Sequence, residues 1–276
     1  KIPLDGGTGF YDKSALSHIH TEYQFNPDFA TIKIGANFRQ YTPDTKGSLF
    51  MDTATMITNK EAGFYTGIET NLFGEFLKMN STFRADKNEN FDLNFSPAMS
   101  LVLKPSEKDI IRFSFSSAIR NPTLSDQYLY YNVGRAILIG AAPENLDRYV
   151  RTFDISNEGQ AIGQPVSVTQ TGRVAYENSY KASSVQAFGD SKNPGDLEVA
   201  NPDLIKPEQV TSAEVGYRGK FNGVVVDLSA YYNSYTDFIS QEVDISPFYG
   251  TAGDGGLSIA AIANDDYQAW STYTNS

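Results

Sequence analysis

Phe91-Asp92-Leu93-Asn94-Phe95-Ser96-Pro97-Ala98-Met99-Ser100-Leu101-Val102-Leu103 carries an apolar side chain at every odd position, while Asp92, Asn94, Ser96 and Ser100 take even ones and Lys104 follows. Strand side chains change face at each residue, so this spacing predicts a strand with one hydrocarbon face and one wet face. Ser106-Glu107-Lys108-Asp109 then reads as a tight polar turn. The pattern restarts with Ile111, Phe113, Phe115 and Ile119 on one side and Arg112, Ser114, Ser116 and Arg120 on the other. Together they predict a long hairpin of membrane-barrel type.

Working outward, the same period predicts about eight strands in four hairpins. Residues 17–41 pair Ser17 to Phe25 with Thr31 to Tyr41 around Asn26-Pro27-Asp28. Residues 63–86 pair Gly63 to Phe73 with Leu77 to Asp86 around Gly74-Glu75, and residues 91–120 form the hairpin above. Residues 210–238 pair Val210 to Phe221 with Val224 to Phe238 across Asn222-Gly223, where both central residues of the turn require positive φ. At the opposite ends the connections are Thr42 to Ala62, Lys87 to Asn90 and the long polar stretch 121–209. Short turns on one rim and long loops on the other is the asymmetry of outer-membrane barrels, whose long loops are extracellular. That polarity places Lys1 to Leu16, residues 121–209 and Ser240 to Ser276 outside the cell, with Ala269 to Ser276 read as loop.

Composition supports an all-β, antiparallel transmembrane wall. Mean hydropathy is −0.36 over the 276 residues, and there is no apolar run long enough for a spanning helix. A barrel strand needs an apolar residue only at alternate positions. The chain is rich in Tyr and Phe, with 17 and 18, and many fall near strand ends, including Tyr23, Phe25, Phe73, Phe76, Phe221 and Tyr235, as interfacial girdles require. Zero cysteines exclude a disulfide framework and a thiolate site. A net charge of −11 argues against nucleic acid as a partner. The sequence opens without a signal peptide and reads as a mature chain or an internal piece of a barrel.

Chemistry is sparse. The two histidines, His18 and His20, share a strand face with Glu22, but alternate residues on a strand lie nearly 7 Å apart, too far for all three to close on one ion without a bulge. Asp190 to Asp196 resembles a calcium loop only superficially, because Lys192 and Pro194 stand where oxygen ligands belong. The glycine clusters Asp5-Gly6-Gly7 and Asp254-Gly255-Gly256 read as turns. Catalytic residues, a metal site and a cofactor are therefore not expected. Tyr128, Tyr130, Tyr131, Tyr149 and Trp270 in the outer segments offer aromatic faces that could stack on a ligand; such rings also pack on one another.

Two segments go beyond the generic pattern. Arg112 to Thr123, with Arg112, Arg120, Asn121 and Pro122, resembles a strand-to-loop signature of TonB-dependent outer-membrane receptors. Asn201-Pro202 through Lys206-Pro207-Glu208, followed by Glu214, Gly216 and Tyr217, resembles a second signature of that family. Leu77 to Asp86, Phe95 to Lys104 and Ile34 to Tyr41 add softer similarity, the last to the Bacteroidetes, SusC-related branch. The resemblance covers roughly 17–240. It implies a mid-barrel portion, about eight strands of a barrel of about 22. It also implies a plug and a TonB energy-coupling protein engaged through an N-terminal region, neither legible here. Outer-membrane lipid and a surface lipoprotein lid complete the implied partners, and energised uptake of a siderophore, cobalamin, glycan or peptide is the implied function. A barrel serving as scaffold of a surface assembly and a closed eight-stranded adhesin-type barrel are the alternatives. The motif residues read first as structural: Arg120 on the polar face, Pro122 ending its strand, and Lys206-Pro207-Glu208 returning the long stretch to the wall.

Overall fold

The computed structural model describes residues 9–276; Asp5-Gly6-Gly7 lies outside them. In chain order, the first elements are β1 (Ala15–Phe25), β2 (Thr31–Thr42), β3 (Asn59–Leu72), β4 (Leu77–Asn88), β5 (Asn94–Ser106) and β6 (Asp109–Arg120). The chain then leaves the sheet through α1 (Leu124–Tyr128), β7 (Tyr130–Asn132), β8 (Ile137–Ile139), α2 (Pro143–Arg148) and β9 (Val150–Asp154). It continues through α3 (Asn157–Ala161), β10 (Ser167–Thr171), α4 (Val174–Glu177), β11 (Tyr180–Lys181) and α5 (Ala182–Ser191). It returns as β12 (Glu208–Phe221) and β13 (Val224–Thr236), and ends in β14 (Ile239–Pro247), α6 (Leu257–Ala263) and β15 (Tyr267–Asn275).

An eight-stranded antiparallel sheet of order β1-β2-β3-β4-β5-β6-β12-β13 forms a wall. Its strands run 11 to 14 residues, beyond the five or six usual in soluble domains and enough to cross a bilayer. Residues directly opposite in the ladder share a face, so the register assigns every side chain. Phe113 lies opposite both Leu101 and Val215, Val215 opposite Ala230, Ala85 opposite Phe95 and Phe64, and Ile19 opposite Phe38. These residues make one apolar face, and its large side chains are open: Ile19 is 70 % exposed, Phe113 46 % and Leu228 63 %. The opposite face carries His20, Glu22, Asn37, Tyr65, Arg84, Arg112, Arg120 and Glu214.

The turns are as short as the sequence predicts. Asn222 and Gly223 take φ of 45° and 88°, which only such residues adopt at low cost. Pro97 sits where the β5·β6 ladder ends, since that pairing starts at Ala98, so its missing N–H costs no ladder bond on that side. The strands β1 and β13 do not pair with each other. A closed eight-stranded barrel is thereby excluded.

The stretch 121–209 and the residues after β13 differ from the expected loops, because they fold together into a cap. A five-stranded sheet, β11-β14-β15-β8-β7, is its centre, and β9 and β10 form a separate hairpin. Ala269 to Ser276, expected as loop, is mostly strand: Trp270 on β15 lies opposite Asp244 on β14 and alongside Ile137 on β8. The cause is hydrophobic. Trp270 is completely buried, among Ile137, Ile139, Leu146, Tyr149 and Tyr176. Phe91, expected on the apolar face, precedes β5 and packs against this same cluster. The β2–β3 connection joins in, with Phe50 and Ile57 packed on Tyr128 and Ala142.

Trp270→Ala should leave a cavity at the centre of the cap, at a cost of about 3–5 kcal/mol. We expect limited proteolysis of the variant to cut within 121–207, where the parent resists, while the wall keeps its heat-resistant electrophoretic mobility.

Candidate functional site

The polar face of β2–β4 and the chain leaving β6 enclose a cleft of about 520 Å3 beneath the cap. Asn37, Arg39, Tyr41, Glu61, Arg84, Asp86 and Arg120 line its wall, and Asn121, Thr123 and Gln127 its roof. Alternation brings these side chains inward, and local pairs then hold them. Arg84 grips Asp86 with two bonds, Nε to Oδ2 at 2.5 Å and Nη2 to Oδ1 at 2.6 Å, and donates a third to Asn37 Oδ1 at 2.9 Å. Arg120 meets Glu208 through Nε at 2.6 Å and Nη2 at 2.8 Å. A side chain at Gly63 would place its Cβ 2.5 Å from Asp86 and 2.6 Å from Arg84, so the bare backbone is what admits this cluster.

Amides join the wall to the cap. Asn88 donates to Asn59 at 2.9 Å and to Glu61 at 3.1 Å, and Glu61 also accepts from Asn121 at 3.0 Å. Gln127 on α1 accepts from Asn59 at 3.1 Å and from Asn90 at 2.7 Å, while its own amide donates to the Pro122 carbonyl at 2.7 Å. Asn90 also donates to the Tyr128 hydroxyl at 2.8 Å. Burial pushes the Tyr128 hydroxyl above the usual tyrosine range, which keeps it a neutral phenol. Lower on the wall, Tyr65 reaches across to β1, donating to Glu22 at 2.6 Å and meeting His20 Nε2 at 2.9 Å.

The residues singled out from sequence fall into distinct settings. Tyr128, Tyr149 and Trp270 are buried in the cap, with Tyr149 stacked edge-on to Trp270 at 5.5 Å and against Tyr130 at 4.5 Å. Tyr130 is half-buried, and Tyr131 lies half-exposed beside Phe10. Arg112 pairs with Asp227 at 2.9 Å above Gly216, and Tyr217 donates to Asp109 at 2.6 Å. Pro122 and Pro207 are buried. Asn201 accepts from the Ser179 N–H at 3.0 Å, with Pro202 following, and the Lys206 backbone is held from both sides by Asn275. Glu214 faces the wet side, where Ser212 on β12 donates to Asn233 on β13 at 2.6 Å.

Sequence reasoning passed over Tyr65, Glu61, Arg84, Asn59, Asn88, Asn90 and Gln127. A signal existed in Gly63-Phe-Tyr65-Thr-Gly67, where glycines flank an inward tyrosine and leave room around it. Among the described residues, no group of three His, Cys, Asp or Glu side chains is arranged to hold a metal.

The family model "TonB dependent receptor-like, beta-barrel" matches residues 3–276, and the chain belongs to that outer-membrane family. Among solved structures, the siderophore receptor PirA from Pseudomonas aeruginosa is similar in fold, with a TM-score of 0.52 and 14 % identity over 96 % of this chain and 38 % of that one. The ferric enterobactin receptor PfeA from Pseudomonas aeruginosa, in complex with BCV-L6, gives a TM-score of 0.52 and 17 % identity over 97 % of this chain and 32 % of that one. The chain thus spans about a third of the length of these receptors. No match was found among curated proteins compared by sequence.

Gln127→Ala removes the acceptor shared by Asn59 and Asn90, and buried donors left without partners cost roughly 1–3 kcal/mol. Hydrogen exchange in the full-length receptor should accelerate across 121–128 and stay unchanged in β3 and β4.

Proposed function

We propose that this chain supplies part of the wall, and the outward cap, of an outer-membrane receptor that takes up a large, scarce solute with energy delivered from the inner membrane. The observation that carries the reading is the opposite character of the two faces of one register-locked sheet, with the cap standing over the polar side. On this reading the apolar face meets lipid, the polar face lines the lumen, and the short turns lie at the periplasmic rim. The cap, built largely from 121–209, stands at the extracellular mouth, where half-exposed Tyr130 and Tyr131 are its available aromatic faces.

Residues 1–276 form a partial barrel domain. Further strands of the same protein complete the wall against β1 and β13, since an open edge leaves N–H and C=O groups unpaired in hydrocarbon at several kcal/mol each. A plug fills the lumen, and the TonB protein engages the receptor through its N-terminal region. Ile34 to Tyr41 supports a SusC-related, Bacteroidetes-type member, in which a surface lipoprotein would cover the mouth. Siderophores, cobalamin, glycans and peptides are the solutes to test.

Two measurements test this. Phe113→Arg should destabilise the receptor in bilayers by about 2–4 kcal/mol, whereas Ser114→Arg on the wet face should change little; equal tolerance would overturn the assignment of faces. Deleting the gene should abolish TonB-dependent growth on one limiting solute of these classes. A receptor that assembles normally, supports no uptake and co-purifies with a stable partner would favour the scaffold reading instead.

A further inference from the structure

Asp244 is an acidic side chain in the core of the cap. It stands on β14, an interior strand of the five-stranded sheet, and is 1 % exposed. Its Oδ2 accepts from the Thr272 hydroxyl on β15 at 2.7 Å, while Oδ1 is buried without a partner. Trp270 lies directly opposite on β15, yet its indole N–H is also buried and unpaired, so it does not serve the carboxylate. Held by a single neutral donor and sealed from water, this group is costly as an anion and far less so as a neutral acid. Burial accordingly lifts its carboxyl above the usual aspartate range, the Thr272 hydroxyl working against that rise and the Glu242 charge with it.

Among the described residues no cation pairs with it. Lys181 is the residue opposite Asp244 on β11, but its side chain is half-exposed and its amine is bound to Glu198 at 2.7 Å. Along β14, Glu242 shares the face, is exposed and carries the same sign of charge. From α4, buried Tyr176 places its hydroxyl 3.1 Å from both the carbonyl and the N–H of Tyr273, and burial holds it above the usual tyrosine range as a neutral phenol. Arg173, at the start of α4, is committed to Asp147 and Glu177. Asp203 and Lys206 come from the segment whose Ile205 joins the Trp270 cluster, and both are exposed. The reverse face of β14 packs Ile245 on Phe188 of α5 and Ile262 of α6, an apolar contact.

We propose that Asp244 is a proton-operated latch of the cap: with a proton on its carboxyl β14 and β15 stay closed on the Trp270 cluster, and loss of that proton loosens them. On opening, the carboxyl reaches water and releases its proton to solvent; on closing it takes one back, and only that O–H bond is made or broken. The closed state binds the proton more tightly than the open one. Closure is therefore fully favoured at and below the ordinary aspartate range, weakens as pH rises above it, and reaches its minimum once pH has passed the raised value of the closed state. The cleft beneath the cap is then harder to enter in acid than at neutral pH, a consequence that rests on the cap standing at the mouth as proposed above.

Hydrogen exchange of the full-length receptor in detergent, corrected for the intrinsic rate at each pH, reads the latch independently of uptake and of which rim the cap occupies. From about pH 4 to about pH 8, protection of the β14 and β15 amides in wild type should fall by about tenfold or more, while β3 and β4 stay level. Asp244→Asn keeps an acceptor for Thr272 and cannot ionise, so its protection should not vary with pH. Thr272→Val gives a second reading in which Asp244 itself is retained. It removes the one donor that favours the anion, so the midpoint of the fall should move to higher pH, a displacement that a merely structural hydroxyl would not produce. Protection independent of pH in wild type, an undiminished slope in Asp244→Asn, or an unmoved midpoint in Thr272→Val overturns the latch.

Discussion

In an antiparallel ladder, two residues directly opposite one another project from the same face, and their neighbours from the other. The rest of this molecule depends on that constraint. Starting from the Asn222-Gly223 turn, it carries one assignment across the whole wall: Ala230 to Val215, Phe113, Leu101 and Met79 on the apolar side. On the polar side the same rule runs from Glu22 through Gly35, Tyr65 and Arg84 to Ser96. A slip of one residue anywhere would exchange the faces of that strand, putting charge among hydrocarbon, so the register is strongly specified.

The polar face shows how such a wall stays ordered without a hydrophobic core of its own. Arginines pair with carboxylates on the same strand or across an intervening one, as Arg84 does with Asp86 and Arg112, over β12, with Asp227. Half-exposed pairs of this kind contribute roughly 0–1 kcal/mol each. Their value is positional: they fix guanidinium groups against the backbone, and Gly35 and Gly63 supply the space in which aromatic and charged side chains cross neighbouring strands.

Stability of another kind governs the cap. Four buried clusters, one centred on Trp270, remove apolar surface that a loose connection would leave in water. Those clusters draw on the β2–β3 connection, the stretch between β6 and β12, and the segment after β13. All three segments thus contribute side chains to the cap. Asp237, with φ of 56°, turns the chain out of the wall into β14, and Asn275 ties the end of β15 to the Lys206 backbone beside the start of β12. The amides around Gln127 then couple this folded unit to β3 and β4, so the roof and the wall of the cleft share one hydrogen-bond network.

Hairpins, turns and the two faces were legible in the residues alone, because a period of two is local information and Asn222-Gly223 announces its own turn. The same local period spaces His18, His20 and Glu22 along one face, and the two imidazole rings lie 6.5 Å apart. What only the tertiary structure decided are contacts between residues remote in sequence. Trp270 against Ile137, Ile57 against Tyr128, Gln127 bonded to Asn59, and Tyr65 laid across Gly35 onto His20 are encoded by no local period. Ala269 to Ser276 read as loop because it lacks the long alternation of a wall strand; it becomes strand because β14 and β8 offer hydrogen-bond partners on both sides of Trp270. Alternation thus determined the wall, while packing and pairing at a distance determined the cap, the cleft and the side chains that cross between strands of the wall.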